Sequence, residues 1–230
     1  MRFMPDDFDS PAALAAQRPT AGFPVDRTAA AAADYAARRI AEEGAAWKTA
    51  QEEARRHFGC ELKSEAIAHA LRARFALFAP EAHAKLLREK REAARFVMLA
   101  AARASGLELR LVGHVLEGSA TARSAVELVA LSLASGEPLD DKTVSLALLN
   151  AGFEPEVFDA PYPTAYARRA RGAMTTLLVH AGGEPVLIRV PDRPMPLPKP
   201  VSPDAYQSEL EASGAVDRSM LEALLAASDD

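Results

Sequence analysis

Apolar residues recur at intervals of three and four through most of the first 105 positions, which is the spacing of one helical face. From Arg27 to Glu43 the stripe is Ala30, Ala33, Ala37, Ile40 and Ala41, closed by Gly44. From Ala45 to Phe58 it is Trp47, Ala50, Ala54 and Phe58, closed by Gly59. These two helices are expected to pack as a hairpin. A third helix is predicted from Ser64, a residue type suited to capping it, to Phe78, burying Ile67, Leu71, Phe75 and Phe78. Pro80 fits the first turn of a fourth, which carries Leu86, Leu87, Ala94, Val97, Met98 and Ala101 to about Ser105. Residues 1–26 show no sustained period and read as a loose arm. No fixed repeat length relates the helices, so the pattern is not that of a solenoid.

At Gly106 the period falls to two: Leu107, Leu109 and Leu111 alternate with Glu108 and Arg110, a strand pattern. Val126 to Leu133 is a nearly continuous apolar run whose periodicity fits a buried strand or a helix equally well. Asp140 to Ala151 has helical spacing. Phe153–Phe158, Thr175–His180 and Pro185–Val190 read as short strands, the last two joined as a hairpin through Ala181-Gly182-Gly183-Glu184. A proline-rich connector follows at 191–203. The chain closes with an amphipathic helix from about Ser219 to Ala227, preceded by a candidate helix near Asp204–Ala212.

The predicted class is therefore α+β: a loose arm (1–26), a helical lobe (27–105), an α/β lobe (106–190) and a connector with C-terminal helix (191–230). Composition agrees with an ordinary globular chain, since 49% of the residues are hydrophobic and 26% charged; aromatics at 6% leave the core to Ala, Leu and Val. A single cysteine, Cys60, excludes an internal disulfide framework and any multi-cysteine zinc site. No apolar run approaches the length of a membrane span, and the opening MRFMPDDFDS carries acids where a secretory leader carries bases, so a cytoplasmic protein with no membrane partner is expected. The net charge of −5 is unevenly spread: residues 1–105 hold 17 basic and 14 acidic side chains, residues 106–230 hold 10 and 18. That acidic second half argues against a nucleic-acid glove formed by the whole molecule.

One stretch carries chemistry. It reads Gly113-His-Val-Leu-Glu-Gly118-Ser119-Ala-Thr-Ala-Arg-Ser124-Ala125-Val-Glu127-Leu128. It resembles the signature of the nucleotidyltransferase fold, in which a strand ends in Gly-Ser, a second glycine follows five residues later, and Ser-Asp-x-Asp-Leu opens the next strand. Gly113, Gly118, Ser124 and Leu128 fall on matching positions without a gap. More broadly, from about Asp34 to Leu225 the chain is similar to an uncharacterised proteobacterial family of nucleotidyltransferase-like proteins. The shared stretches are Tyr35-Ala-Ala-Arg-Arg-Ile-Ala-Glu-Glu-Gly44, the Lys48–Gly59 helix and Gly-x-Val-x-x-Gly-[Ser/Thr]-Ala-Thr. The resemblance implies a small mixed sheet of that type. In the signature, glycine amides approach a triphosphate, and two carboxylates at i and i+2 on one strand face hold Mg²⁺ with a third acid from a neighbouring strand.

This chain departs from the signature at the reacting positions. His114 replaces the serine, Ala125 the first acid and Glu127 the second. The resemblance therefore implies a degenerate nucleotidyltransferase, a pseudoenzyme acting as a nucleotide-, RNA- or protein-binding module. The alternative is an active, divergent enzyme in which Glu127, as metal ligand, works with Glu117, Glu156 or Asp159 on Mg²⁺. A third reading is a purely structural subunit, for example of a homodimer. Gly113, His114, Gly118, Ser119 and Ser124 are the candidate ligand-binding residues of the turn, and Glu127, Glu156 and Asp159 the candidate catalytic ones. Gly113 and Gly118 also fit a plain strand-to-loop turn, and His114 a packed histidine.

Arg168, Arg169 and Arg171, with Tyr162 and Tyr166 nearby, form a second candidate site for phosphate or a nucleic-acid backbone. Lys85, Arg88, Lys90, Arg91 and Arg95 are interleaved with Glu89 and Glu92, the pattern of a solvated helix face. His57 and Cys60 have H-x-x-C spacing, yet two ligands do not close a metal site.

Overall fold

The computed structural model describes residues 25–136, 139–158, 174–191, 197 and 207–228. Among them the fold is mixed α+β, with seven helices and one five-stranded mixed sheet. The order is α1 (Val25–Glu43), α2 (Trp47–Phe58), α3 (Ser64–Phe78), α4 (Pro80–Ser105), β1 (Glu108–Val112), β2 (Val126–Ser132), α5 (Asp141–Asn150), β3 (Glu156–Val157), β4 (Met174–Ala181), β5 (Glu184–Pro191), α6 (Glu209–Ala212) and α7 (Arg218–Ala226). No helix of the described residues is long and apolar enough to cross a membrane.

The apolar run after Ser124 is a strand. Periodicity could not decide it; pairing does, because β2 is hydrogen-bonded on both sides, antiparallel to β1 and parallel to β5. The strand order is β1-β2-β5-β4-β3. The β4–β5 hairpin turns at Gly182 and Gly183, whose φ values of 59° and 87° suit the two-residue turn that matches strand twist. Asp140 caps α5 by accepting from the Thr143 amide, and Asp217 caps α7 through Met220.

Two separate cores form. Ala32, Ala36, Ala37, Ile40, Ala50, Ala54, Ile67 and Leu71 bury the facing sides of α1, α2 and α3. The larger core lies between one sheet face and α4, α5 and α7; it contains Val97, Leu111, Leu128, Leu148, Leu177, Ile188 and Leu221. Packing thus places α4 with the sheet. On the opposite sheet face Val112, Val129 and Ala215 form a small cluster to which Leu197 of the connector adds.

Two expectations about the helices are corrected. Phe78 is 67% exposed instead of buried, since it sits on the last turn of α3 beside the Arg74 guanidinium. The basic stripe of α4 is not wholly solvated: Lys90 and Arg91 turn into the core, Lys90 against Glu184 of β5 and Arg91 against Glu211 of α6 at 2.7 Å. Distant carboxylates make that burial tolerable, because a desolvated cation needs a paired anion.

Candidate functional site

β1 ends at Val112, opposite Glu127 of β2, and the chain between them makes a tight turn over 113–118. Gly113 and Gly118 adopt φ values of 73° and 70°, which L side chains rarely take, so the turn itself requires both glycines. A β-carbon added to Gly113 would lie 3.6 Å from the Glu127 carboxyl, so the turn and the acid are neighbours.

Five amides of the loop are engaged within it. Glu117 donates to the Gly113 carbonyl and Ser119 to the His114 carbonyl, both at 2.9 Å, and Ser124 donates to Thr121 at 3.0 Å. The Thr121 amide donates to Ser124 Oγ, and Arg123 to Thr121 Oγ1. The hydroxyls are committed as well, for Ser119 Oγ lies 2.9 Å from His114 Nδ1.

Several carbonyls of the turn are held from outside. Arg72 of α3 donates to Glu117 O at 2.9 Å, and Arg91 of α4 reaches the Val115 and Leu116 carbonyls. His83 of α4 bonds to Ala120 O at 3.0 Å. The His114 ring packs against Trp47 of α2, with centroids 4.3 Å apart and planes tilted by 32°. Burial, aided by the Arg72 charge, pushes its pKa down to about 4, so it is neutral at physiological pH.

Glu127 points to the sheet face away from the large core, together with Arg189 of β5 and Thr176 of β4. Arg189 Nη2 lies 3.5 Å from Glu127 Oε2, and Nη1 donates to Thr176 Oγ1 at 2.7 Å. Arg189 is only 3% exposed and its Nε has no hydrogen-bond partner. Burial holds the Glu127 carboxyl above its ordinary range, and the guanidinium pulls it partway back. Glu117 is also held high by burial, opposed by Arg72 and reinforced by the charges of Glu127 and Glu65.

The structure therefore brings Gly113, His114, Glu117, Gly118, Ser119 and Glu127 together. It does not bring Glu156 to them. That residue is exposed on edge strand β3, separated from β2 by β4 and β5, and three inter-strand steps amount to about 14 Å. Glu156 is thus corrected as a co-ligand of Glu127. Asp159, Arg168, Arg169 and Arg171 lie outside the described residues. Among the described residues no three His, Cys, Asp or Glu side chains are grouped closely enough to hold a metal ion. The His57 ring stacks on Tyr35 with centroids 5.4 Å apart.

Sequence reasoning missed Arg189, Thr176, Arg72, Trp47 and His83. Only Arg189 left a visible sign, as a lone charge inside the apolar run Pro185–Val190. Compared with family models, with curated proteins and with solved structures, the chain matches none.

Proposed function

We propose that the chain is a nucleotidyltransferase-type scaffold that has given up metal-dependent nucleotidyl transfer and works as a binding module. The scaffold part is supported by a first strand running into a glycine turn, a second strand opened by Ser124, and a parallel neighbour supplying the residue that faces Glu127. The non-catalytic part rests on one observation: that facing residue is a buried guanidinium, Arg189, where the resemblance calls for a third carboxylate. A fixed cation beside the one remaining acid opposes Mg²⁺ electrostatically and takes up its lone pairs, while Mg²⁺ itself favours several anionic oxygens. With Ala125 in place of the first acid, one carboxylate is left where the signature uses three.

The test is thermal denaturation with ATP, with and without Mg²⁺, on the unaltered chain and on Glu127→Ala. The expected result is no Mg²⁺-dependent stabilisation in either. Mg²⁺-dependent stabilisation that vanishes in Glu127→Ala would overturn the reading in favour of an active enzyme using Glu127 and Glu117. The ligand class is read separately by salt titration of single-stranded RNA binding, since phosphate contacts weaken steeply with salt and replacement of Arg168, Arg169 and Arg171 should remove them.

A further inference from the structure

The seam between the α1–α3 lobe and the glycine turn is built unlike either core. The two cores are separate clusters. A single residue, Ala79, joins α3 to α4 with φ −151° and ψ 48°, outside helical geometry. The lobe is held to the turn by rings and polar contacts: Trp47 against His114, Arg72 on Glu117 O, and Arg123 of the loop on Gly44 O. One more contact repeats the theme. The His83 ring stacks on Phe75 of α3, with centroids 4.0 Å apart and planes 15° apart, while its Nε2 bonds to Ala120 O. Each histidine thus packs against an aromatic ring of the lobe and hydrogen-bonds within the loop or to it.

We propose that His114 and His83 are an acid-released latch: as neutral rings they keep the α1–α3 lobe seated on the glycine turn, and as cations they let it swing away about Ala79. Both rings sit where a proton is disfavoured, first by burial, then by Arg72 facing His114 and by Arg91 facing His83, against which the Ala120 carbonyl only partly compensates. The other charged groups packed there are Glu117 of the turn, Glu65 of α3 and Glu127 of β2. They do not rescue the cations. Glu117 and Glu127 are held above the ordinary carboxyl range by burial, so they give up their charge earlier on acidification than free carboxyls do. A histidine whose pKa is lowered in the docked state supports docking fully above its ordinary value of 6.5, and that support fades as pH falls toward the docked value. The lobe can open as a unit because it owns its core.

Trp47 is the sole tryptophan of the chain, so its emission reports the seam directly. Between pH 6.5 and 4 the emission should shift to the red while far-UV circular dichroism stays constant. The shift should shrink in His114→Gln and in His83→Gln, and disappear in the double variant. Emission that is unmoved down to pH 4 would overturn the latch, as would a shift that occurs only with collapse of the dichroism or that survives in the double variant. Should the double variant not fold, imidazole proton resonances of the unaltered protein decide. The latch expects both rings to titrate below 6.5 in step with the indole, and fails if they titrate at 6.5 or above, or independently of it. No metal or nucleotide enters this measurement, so it and the Mg²⁺–ATP test can fail separately.

Discussion

The two cores are packed from different residues. Six of the ten buried members of the α1–α3 cluster are alanines, against seven of twenty-nine in the sheet cluster, where Leu, Val and Ile dominate. Each buried methylene contributes roughly 0.8 kcal/mol, so the sheet core gains much more per residue. The lobe instead relies on close helix approach and on ion pairs across its helices. Arg74 of α3 reaches both Asp34 and Glu42 of α1, and Arg39 of α1 meets Glu53 of α2 at 3.0 Å. The difference teaches which part opens first: a unit whose fully buried residues are mostly alanines and whose polar ties are partly solvated sits at the low end of local stability.

The largest expected effect lies in the sheet core. Arg91 is buried with Glu211 and two carbonyls of the turn, so Arg91→Ala strands a buried carboxylate and should cost about 3–5 kcal/mol. Urea denaturation should show one cooperative transition at a lower midpoint; a loss below 1 kcal/mol would mean that Glu211 rehydrates and that this core is not held by the pair. A smaller effect is expected in the lobe. Ala36 is fully buried, and Ala36→Leu overpacks its site at a cost of about 1–3 kcal/mol. Hydrogen exchange should then accelerate in α1–α3 while β2 and β5 keep their protection; equal acceleration everywhere would erase the distinction between the cores. The smallest effect is at a helix end. Asp217→Ala removes the cap of α7 and should cost about 1 kcal/mol. Its amide hydrogen bond holds the Asp217 carboxyl below the ordinary range, so the contribution is present above that range and is lost as pH falls through the lowered value. A variant with the same acid-limb profile as the unaltered protein would show that the cap contributes nothing.

Much of the element pattern was legible in the sequence because punctuation residues act locally. Pro80 sits in the first turn of α4, Asp140 caps α5, and Gly182-Gly183 turns the hairpin, all without help from distant residues, whereas Ser64 does not cap α3: it is the first helical residue, and Lys63 at the cap position makes no side-chain bond. The run after Ser124 was ambiguous because a strand buried between two others loses its alternation; its identity comes from the partners on either side. Lys90 and Arg91 were misread for a related reason. Their anions, Glu184 and Glu211, lie 94 and 120 residues downstream, and no local window contains both halves of either pair. At the site, the turn glycines and Glu127 stand out through the resemblance to a signature, whereas Arg189 acquires its meaning only when β5 is laid parallel to β2. Trp47 and His83 were invisible as seam residues, since stacking partners leave no spacing rule.

The strand order carries a consequence for biosynthesis. Among the described residues β5 is the last strand to be made, and it lies in the middle of the sheet, between β2 and β4. Until residue 191 has left the ribosome, β2 presents an unpaired edge whose side chains are apolar on most positions. The helices of residues 25–78 have everything they need to associate much earlier, so during synthesis the weaker core is complete while the stronger one waits for its keystone. Nascent chains stalled short of Glu184 should therefore be the ones that chaperones hold.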